Sequence, residues 1–146
     1  MKQATVLQLC GWPGTGKTQL LKQFVGANPG SIQILEPSSP DEEFIPTLAD
    51  FDAFAAVAID DVWGWSRQSV VDGVRELERV ALATGRKLIL VTPSRSGLAS
   101  IGIHLQSEPI IVELEDGQPC TVDLSYNGHS LSFVEPNCCG WRPQQP

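Results

Sequence analysis

The chain has 146 residues, of which 42% are hydrophobic, and carries a formal net charge of -7. That length gives one domain able to bury a core of its own, and the negative balance argues against a broad electrostatic footprint for nucleic acid. Four cysteines with no C-x-x-C pair exclude a zinc ribbon, and no apolar run approaches the about 18 residues of a membrane helix.

After Met1, Lys2 and Gln3, which contain no signal-peptide core, residues 5–10 read as a strand and Gln19 to Val25 as the first turns of a helix. This start predicts a soluble intracellular protein. Between strand and helix, Gly11, Trp12, Pro13, Gly14, Thr15, Gly16, Lys17 and Thr18 complete the pattern G-x-x-x-x-G-K-[ST] of the P-loop. Gly14 and Gly16 let the backbone turn where a side chain would forbid it, so that successive N–H groups aim at phosphate oxygens. The helix N-terminus adds partial positive charge. Lys17 then stands as a cation against the β- and γ-phosphates, and the Thr18 hydroxyl is a ligand for phosphate-bound magnesium. A glycine-rich turn that happens to carry a lysine is the competing account, and the flanking elements weigh against it. ATP is the default nucleotide, because no guanine-reading Asn-Lys-x-Asp run is present.

Asn28, Pro29 and Gly30 break the chain before a second strand at 31–35, which residues 36–40 end. Residues 41–54 place Phe44, Ile45, Leu48 and Phe51 at helical spacing, but Pro46 restricts where a helix starts, so a short or broken helix is expected. Residues 55–60 form an apolar run that finishes in Asp60 and Asp61, as a parallel strand covered on both faces does at the ligand edge of a sheet. The pair resembles the second acidic motif of P-loop enzymes, and that resemblance makes Asp60 the candidate magnesium ligand and Asp61 the candidate for polarising an attacking water. The alternative is that the pair caps the following helix. Trp63 and Trp65 read first as cover for the sheet and second as contacts to DNA or a neighbouring subunit.

From Ser66, a plausible N-cap, Val70, Val71, Val74, Leu77, Val80 and Ala81 recur at three and four residues and predict a helix closed by Gly85. The fourth strand, 88–91, ends in Thr92, Pro93, Ser94 and Arg95. Thr92 is the first candidate for sensing the terminal phosphate and joins Lys17 and Asp61 as the catalytic set. Ser94 is the second, a capped turn is the alternative, and Arg95 is a candidate for reaching a neighbouring subunit's phosphate. Residues 62–107 hold Arg67, Arg75, Arg79, Arg86, Lys87 and Arg95 against Asp72, Glu76 and Glu78, a locally basic stretch that fits either nucleic acid or a solvated helix face.

Residues 96–105 read as a short helix or loop, and 110–114 and 121–125 as strands. Asn127 and Gly128 signal a hairpin that sets 130–134 antiparallel to the preceding run, expected to extend one edge of the sheet. The fold class is therefore α/β, a three-layer sandwich with a mainly parallel sheet of P-loop NTPase type, over one domain at 1–135. Residues 136–146 read as a mobile tail. Cys10 and Cys120 fall in strands, and the adjacent Cys138 and Cys139 read as free thiols or, alternatively, a redox or metal pair.

The runs 58–65 and 85–92, with the helix between them, resemble the zonular occludens toxin-like ATPases of filamentous phages and the wider FtsK and HerA type of DNA pumps, within the RecA-like (ASCE) branch of P-loop NTPases. The resemblance spans roughly residues 4–105, and its P-loop part is the specific one. It implies a magnesium-dependent ATPase that serves phage or plasmid DNA packaging, translocation or virion assembly, with ATP and Mg2+ as cofactors. DNA or viral assembly proteins are the implied partners, a homo-oligomeric ring the implied assembly, and host cytoplasm the implied compartment for a phage-encoded chain. The sequence departs from the family in having Pro93 in place of a glutamine, Asp61 in place of a glutamate, and no counterpart of the phage proteins' membrane segment. Two other functions share the same cradle. A small-molecule or nucleotide kinase needs an acceptor site, yet residues 38–54 have no basic side chain. A nucleotide-dependent binding module needs little turnover.

Overall fold

The computed structural model describes residues 4–11, 16–114 and 123–134. Outside them lie Trp12, Pro13, Gly14 and Thr15 of the glycine-rich segment, Cys120 with the first residues of the expected sixth strand, and the whole of 136–146 with Cys138 and Cys139.

Five strands, β1 (Val6–Cys10), β2 (Ile32–Leu35), β3 (Ala56–Ile59), β4 (Lys87–Thr92) and β5 (Ile110–Glu113), form one sheet in the order β2-β3-β4-β1-β5. Every pair in it is parallel. The inner strands β1, β3 and β4 are buried without alternation because both faces are covered. On one face Val6, Val57, Ile59, Leu88 and Leu90 meet Val70, Val74, Leu77 and Ala81 of helix α2 (Arg67–Thr84). On the other, Leu7, Leu9, Ala56, Ala58, Ile89 and Val91 meet Leu21 of helix α1 (Lys17–Ala27), with Leu20, Phe24 and Val25 packed around it. Helix, sheet and helix thus make three layers.

Local chemistry sets the helix limits. Gly16 precedes α1 at φ 92°, a left-handed conformation that suits a residue without Cβ. Ser66 and Gly85 bound α2 as the sequence predicts, with Gly85 at φ 72°. Among the described residues no helix is long and apolar enough to cross a membrane.

One expectation is met in its shortest form and one fails. The short or broken helix expected over 41–54 is a 3-10 turn at Pro46–Leu48. Its polar groups are satisfied from elsewhere: the Phe44 N–H donates to Ser69 Oγ at 2.8 Å, and Glu42 Oε1 accepts from Ser38 N at 2.7 Å and Ser38 Oγ at 2.6 Å. The hairpin, β6 (Asp123–Tyr126) with β7 (Leu131–Val134), is antiparallel as expected but forms its own two-stranded sheet and does not extend an edge. Its Leu131 and Phe133 are buried in the same core as Leu7 and Leu9, so its apolar face lies against the α1 side of the main sheet. Pairing at the edge would leave that face in water. Arg86 Nη1, 3.1 Å from the His129 carbonyl, and Lys87 Nζ, 5.3 Å from the Phe133 ring centroid, fix it near the start of β4.

Candidate functional site

The candidate site residues gather at the other end of the sheet. β4 lies between β1 and β3, with Cys10 opposite Thr92 and Ile59 opposite Leu90, so the exits of three strands converge beside the first turn of α1. A cavity of about 530 Å³ opens there, lined by Gly16, Lys17, Thr18 and Gln19, by Glu36 and Pro37 beyond β2, by Asp60 and Asp61, and by Val91, Thr92 and Pro93. That volume is within the about 300–1,000 Å³ of small-molecule sites.

Thr18 Oγ1 donates to Asp60, 2.9 Å from Oδ2 and 3.1 Å from Oδ1. Asp60 is only 5% exposed, and its own backbone is pinned: its N–H donates to the Leu35 carbonyl at 2.9 Å, and its carbonyl accepts from Trp65 Nε1 at 3.1 Å. Burial pushes the Asp60 carboxyl above the usual carboxylate range, the Thr18 hydrogen bond opposes this, and the charges of Glu36 and Asp61 add to it. A buried carboxylate with two others nearby is a place where a cation is favoured. Lys17 Nζ donates to the Gly11 carbonyl. Burial holds the Lys17 amine below the ordinary lysine value, while Cys10, Asp60 and Asp61 act to raise it. The neighbouring Cys10 thiol is pushed up to about 11, first by burial and then by Glu113, so it stays protonated and inert near neutrality.

Asp61 adopts φ 52°, which a non-glycine residue occupies at a cost of roughly 1–3 kcal/mol. The bend re-aims its carboxylate over Gly64, where an added Cβ would come within 2.6 Å of Oδ2. The Gly64 N–H donates to the Asp61 carbonyl at 2.8 Å and closes a 3-10 turn at Val62–Gly64.

Thr92, 1% exposed, has its hydroxyl turned into the protein: Oγ1 accepts from Gln8 Nε2 at 3.0 Å and donates to the Ser94 carbonyl at 2.8 Å. Ser94 Oγ stands 3.4 Å from Ser96 Oγ, and Arg95 Nη1 pairs with Glu113 Oε1 at 3.1 Å. The two tryptophans part company. Trp65 is buried, edge-on to Phe44 with centroids 5.0 Å apart. Trp63 remains 49% exposed while its Nε1 donates to the Gly97 carbonyl at 2.8 Å. Gly97 itself sits against Thr92, since a Cβ there would lie 2.9 Å from Thr92 Cβ.

Lys17, Thr18, Asp60, Asp61 and Thr92 therefore share one cavity with Gly16, and Gly11 joins them through the Lys17 amine. Four residues to which sequence reasoning gave no role border them: Gln8, Glu36, Gly64 and Gly97. Of these only Gln8 left a signal, a polar residue inside an apolar strand. No family model, no curated protein and no solved structure matches this chain.

Proposed function

We propose that this chain is a magnesium-dependent P-loop ATPase of the RecA-like branch, and the observation that carries the reading is the contact of Thr18 with buried Asp60 beside Lys17. The donor set fits magnesium, which keeps most of its waters and takes one or two protein oxygens together with phosphate. Bound between Thr18 and Asp60, magnesium would neutralise charge on the phosphates.

The chain's own groups supply the rest. Amide N–H groups at the start of α1 and the Lys17 ammonium bind the triphosphate and stabilise negative charge that grows on the leaving β-phosphate oxygen. Asp61 orients a water toward the γ-phosphorus and takes up its proton, as the bond from that phosphorus to the bridging oxygen breaks to give ADP and phosphate. Thr92 lines the same cavity with its hydroxyl held by Gln8 and the Ser94 carbonyl. For the coupled work we propose phage or plasmid DNA packaging, translocation or virion assembly by a ring of copies, which the resemblance of 58–65 and 85–92 supports. The exposed face of Trp63, next to the acidic pair, is the surface from which a DNA base or a neighbouring copy would reach the site.

A second reading, a nucleotide-dependent binding module with slow turnover, is favoured by the engagement of the Thr92 hydroxyl with Ser94 and by the short reach of Asp61. Steady-state phosphate release, with and without single- and double-stranded DNA, separates the two. The ATPase reading expects magnesium-dependent release that DNA accelerates and Lys17→Ala abolishes. Tight binding of Mg-ATP by calorimetry without release would favour the module, and no heat at all would overturn both.

A further inference from the structure

Gln8 lies in β1 among Val6, Leu7, Leu9 and Cys10, and it is 2% exposed. An amide so buried must find hydrogen bonds or be strongly unfavourable. Its nitrogen finds them at the exit of β4: Nε2 lies 3.0 Å from Thr92 Oγ1, 3.2 Å from the Ser94 carbonyl and 3.2 Å from the Arg95 carbonyl. Two of these partners are carbonyl oxygens, which only accept, so the nitrogen and not the oxygen of the amide must face them. Two hydrogens thus serve three acceptors.

The Thr92 hydroxyl has a single hydrogen, and it goes to the Ser94 carbonyl. Were that hydrogen turned toward a ligand with no other donor nearby, the Ser94 carbonyl would be left unsatisfied. Gln8 removes that obstacle, because one Nε2 hydrogen already lies within reach of both the Ser94 and Arg95 carbonyls. Its other hydrogen occupies a lone pair of Thr92 Oγ1, which leaves the hydroxyl free to act as a donor elsewhere.

We propose that Gln8 is a positioning residue that lets Thr92 redirect its hydroxyl hydrogen from the Ser94 carbonyl to the terminal phosphate of a bound nucleoside triphosphate. The inference rests on the nucleotide reading of the cavity. Gln8 touches no substrate and acts through Thr92.

The test compares wild type with Gln8→Leu, Gln8→Glu, Thr92→Val and the Gln8→Leu/Thr92→Val pair, using Mg-ATP turnover, Mg-ADP affinity and thermal unfolding. Gln8→Leu is expected to lower kcat about 10- to 100-fold, as a misplaced catalytic group does, with KM and Mg-ADP affinity nearly unchanged. The pair should be no slower than Thr92→Val alone, since both changes act on one hydroxyl. Gln8→Glu carries a readout of its own. As a carboxylate it cannot donate and is slow at pH 8, but burial raises its pKa, and its protonated form regains one donor, so its kcat relative to wild type rises as pH falls. That profile also serves if Gln8→Leu does not fold.

Wild-type kcat in Gln8→Leu, a double variant whose losses multiply, or a Gln8→Glu rate that tracks wild type at every pH would each overturn the inference. If wild type turns over and Lys17→Ala does not, such a result removes only the role of Gln8. If wild type neither binds nor cleaves Mg-ATP, the nucleotide reading falls and takes this inference with it.

Discussion

Thr18 Oγ1 and Asp60 Oδ2 stand 2.9 Å apart although 42 positions separate them in the chain, which ties the first turn of α1 to the exit of β3. The strand between, β4, holds these ends at a fixed spacing, so the hydroxyl and the carboxylate form a pre-set pair and not a flexible one. Replacing Thr18 by valine keeps the volume and removes the oxygen. Thr18→Val should weaken nucleotide binding at least about 10-fold in magnesium and leave binding in EDTA unchanged, by analogy with the loss of a group that orients a metal site. Calorimetric titration of ADP with and without magnesium checks this. Equal losses in both conditions would mean that Thr18 serves packing alone.

The environment of Asp60 also dictates a pH dependence. Burial raises its carboxyl above the ordinary value of 3.8 in the folded protein, so between that value and the folded pKa the native state binds more protons than the unfolded chain. Stability from this group is therefore present at low pH and is lost as pH rises through the folded pKa. Asparagine mimics the protonated form and still accepts from Thr18. Asp60→Asn should make the nucleotide-free protein more stable at pH 8, by about 0.5–2 kcal/mol, while it abolishes stabilisation by Mg-ADP. The stability gain should vanish as pH approaches 3.8. Urea denaturation across that range measures it, and a gain that persists undiminished in acid would contradict the assignment.

Glu78 is a second buried carboxylate, 1% exposed, on the inner side of α2. Its oxygens accept from the Gln106 and Ser107 N–H groups, both at 2.8 Å, and from Ser107 Oγ at 2.7 Å. The carboxylate thus caps the chain just before β5 and sets where that strand joins β1. Glu78→Ala would orphan two backbone donors beside an apolar core, at a cost of about 2–4 kcal/mol. Chemical denaturation should register that loss, with Glu78→Gln intermediate because it retains one acceptor. A change below about 0.5 kcal/mol in the alanine variant, ordinary for a surface site, would show that the loop does not depend on this clamp.

Much of this architecture was legible in the residues because periodicity reports burial. The apolar runs of β1, β3 and β4 and the stripe of α2 appear where the sequence predicts them, and Gly85 closes its helix as expected. The convergence of Lys17, Thr18 and Asp60 follows from glycine spacing and from an acidic pair at a strand end. What stayed hidden depends on distant partners. Glu78 looks like one more charge on a solvated helix, since its partners lie 28 and 29 positions away, and Gln8 meets Thr92 across 84 positions. The spacing of Phe44, Ile45, Leu48 and Phe51 suggested a short or broken helix and a 3-10 turn forms, but only Phe44 and Phe51 are buried, and the Phe44 N–H finds its acceptor on α2 at Ser69 Oγ instead of within a helix. The hairpin's pairing was readable, whereas its docking was not, because alternation says that one face is buried and not against what.

The contact between Phe44 and Gly73 shows how the segment that borders the cavity is held. The Phe44 ring sits over α2 so closely that a Cβ on Gly73 would fall 2.2 Å from Cδ2 and 2.5 Å from Cε2. The ring cannot readily yield, since Trp65 meets it edge-on and the Phe44 N–H is bound to Ser69 Oγ. Alanine in mid-helix ordinarily gains up to about 1 kcal/mol over glycine, but overpacking a core costs about 1–3 kcal/mol, so the clash should win. Gly73→Ala is expected to lower stability by about 1–2 kcal/mol and to loosen the chain that leads back to Glu36 and Pro37 at the cavity wall. Trimming the ring should relieve it: in a double-mutant cycle, Phe44→Leu should cost less in the Gly73→Ala background than in wild type. Additive losses, measured by urea denaturation of the four proteins, would mean that the ring moves aside and that the notch at Gly73 does not position this segment.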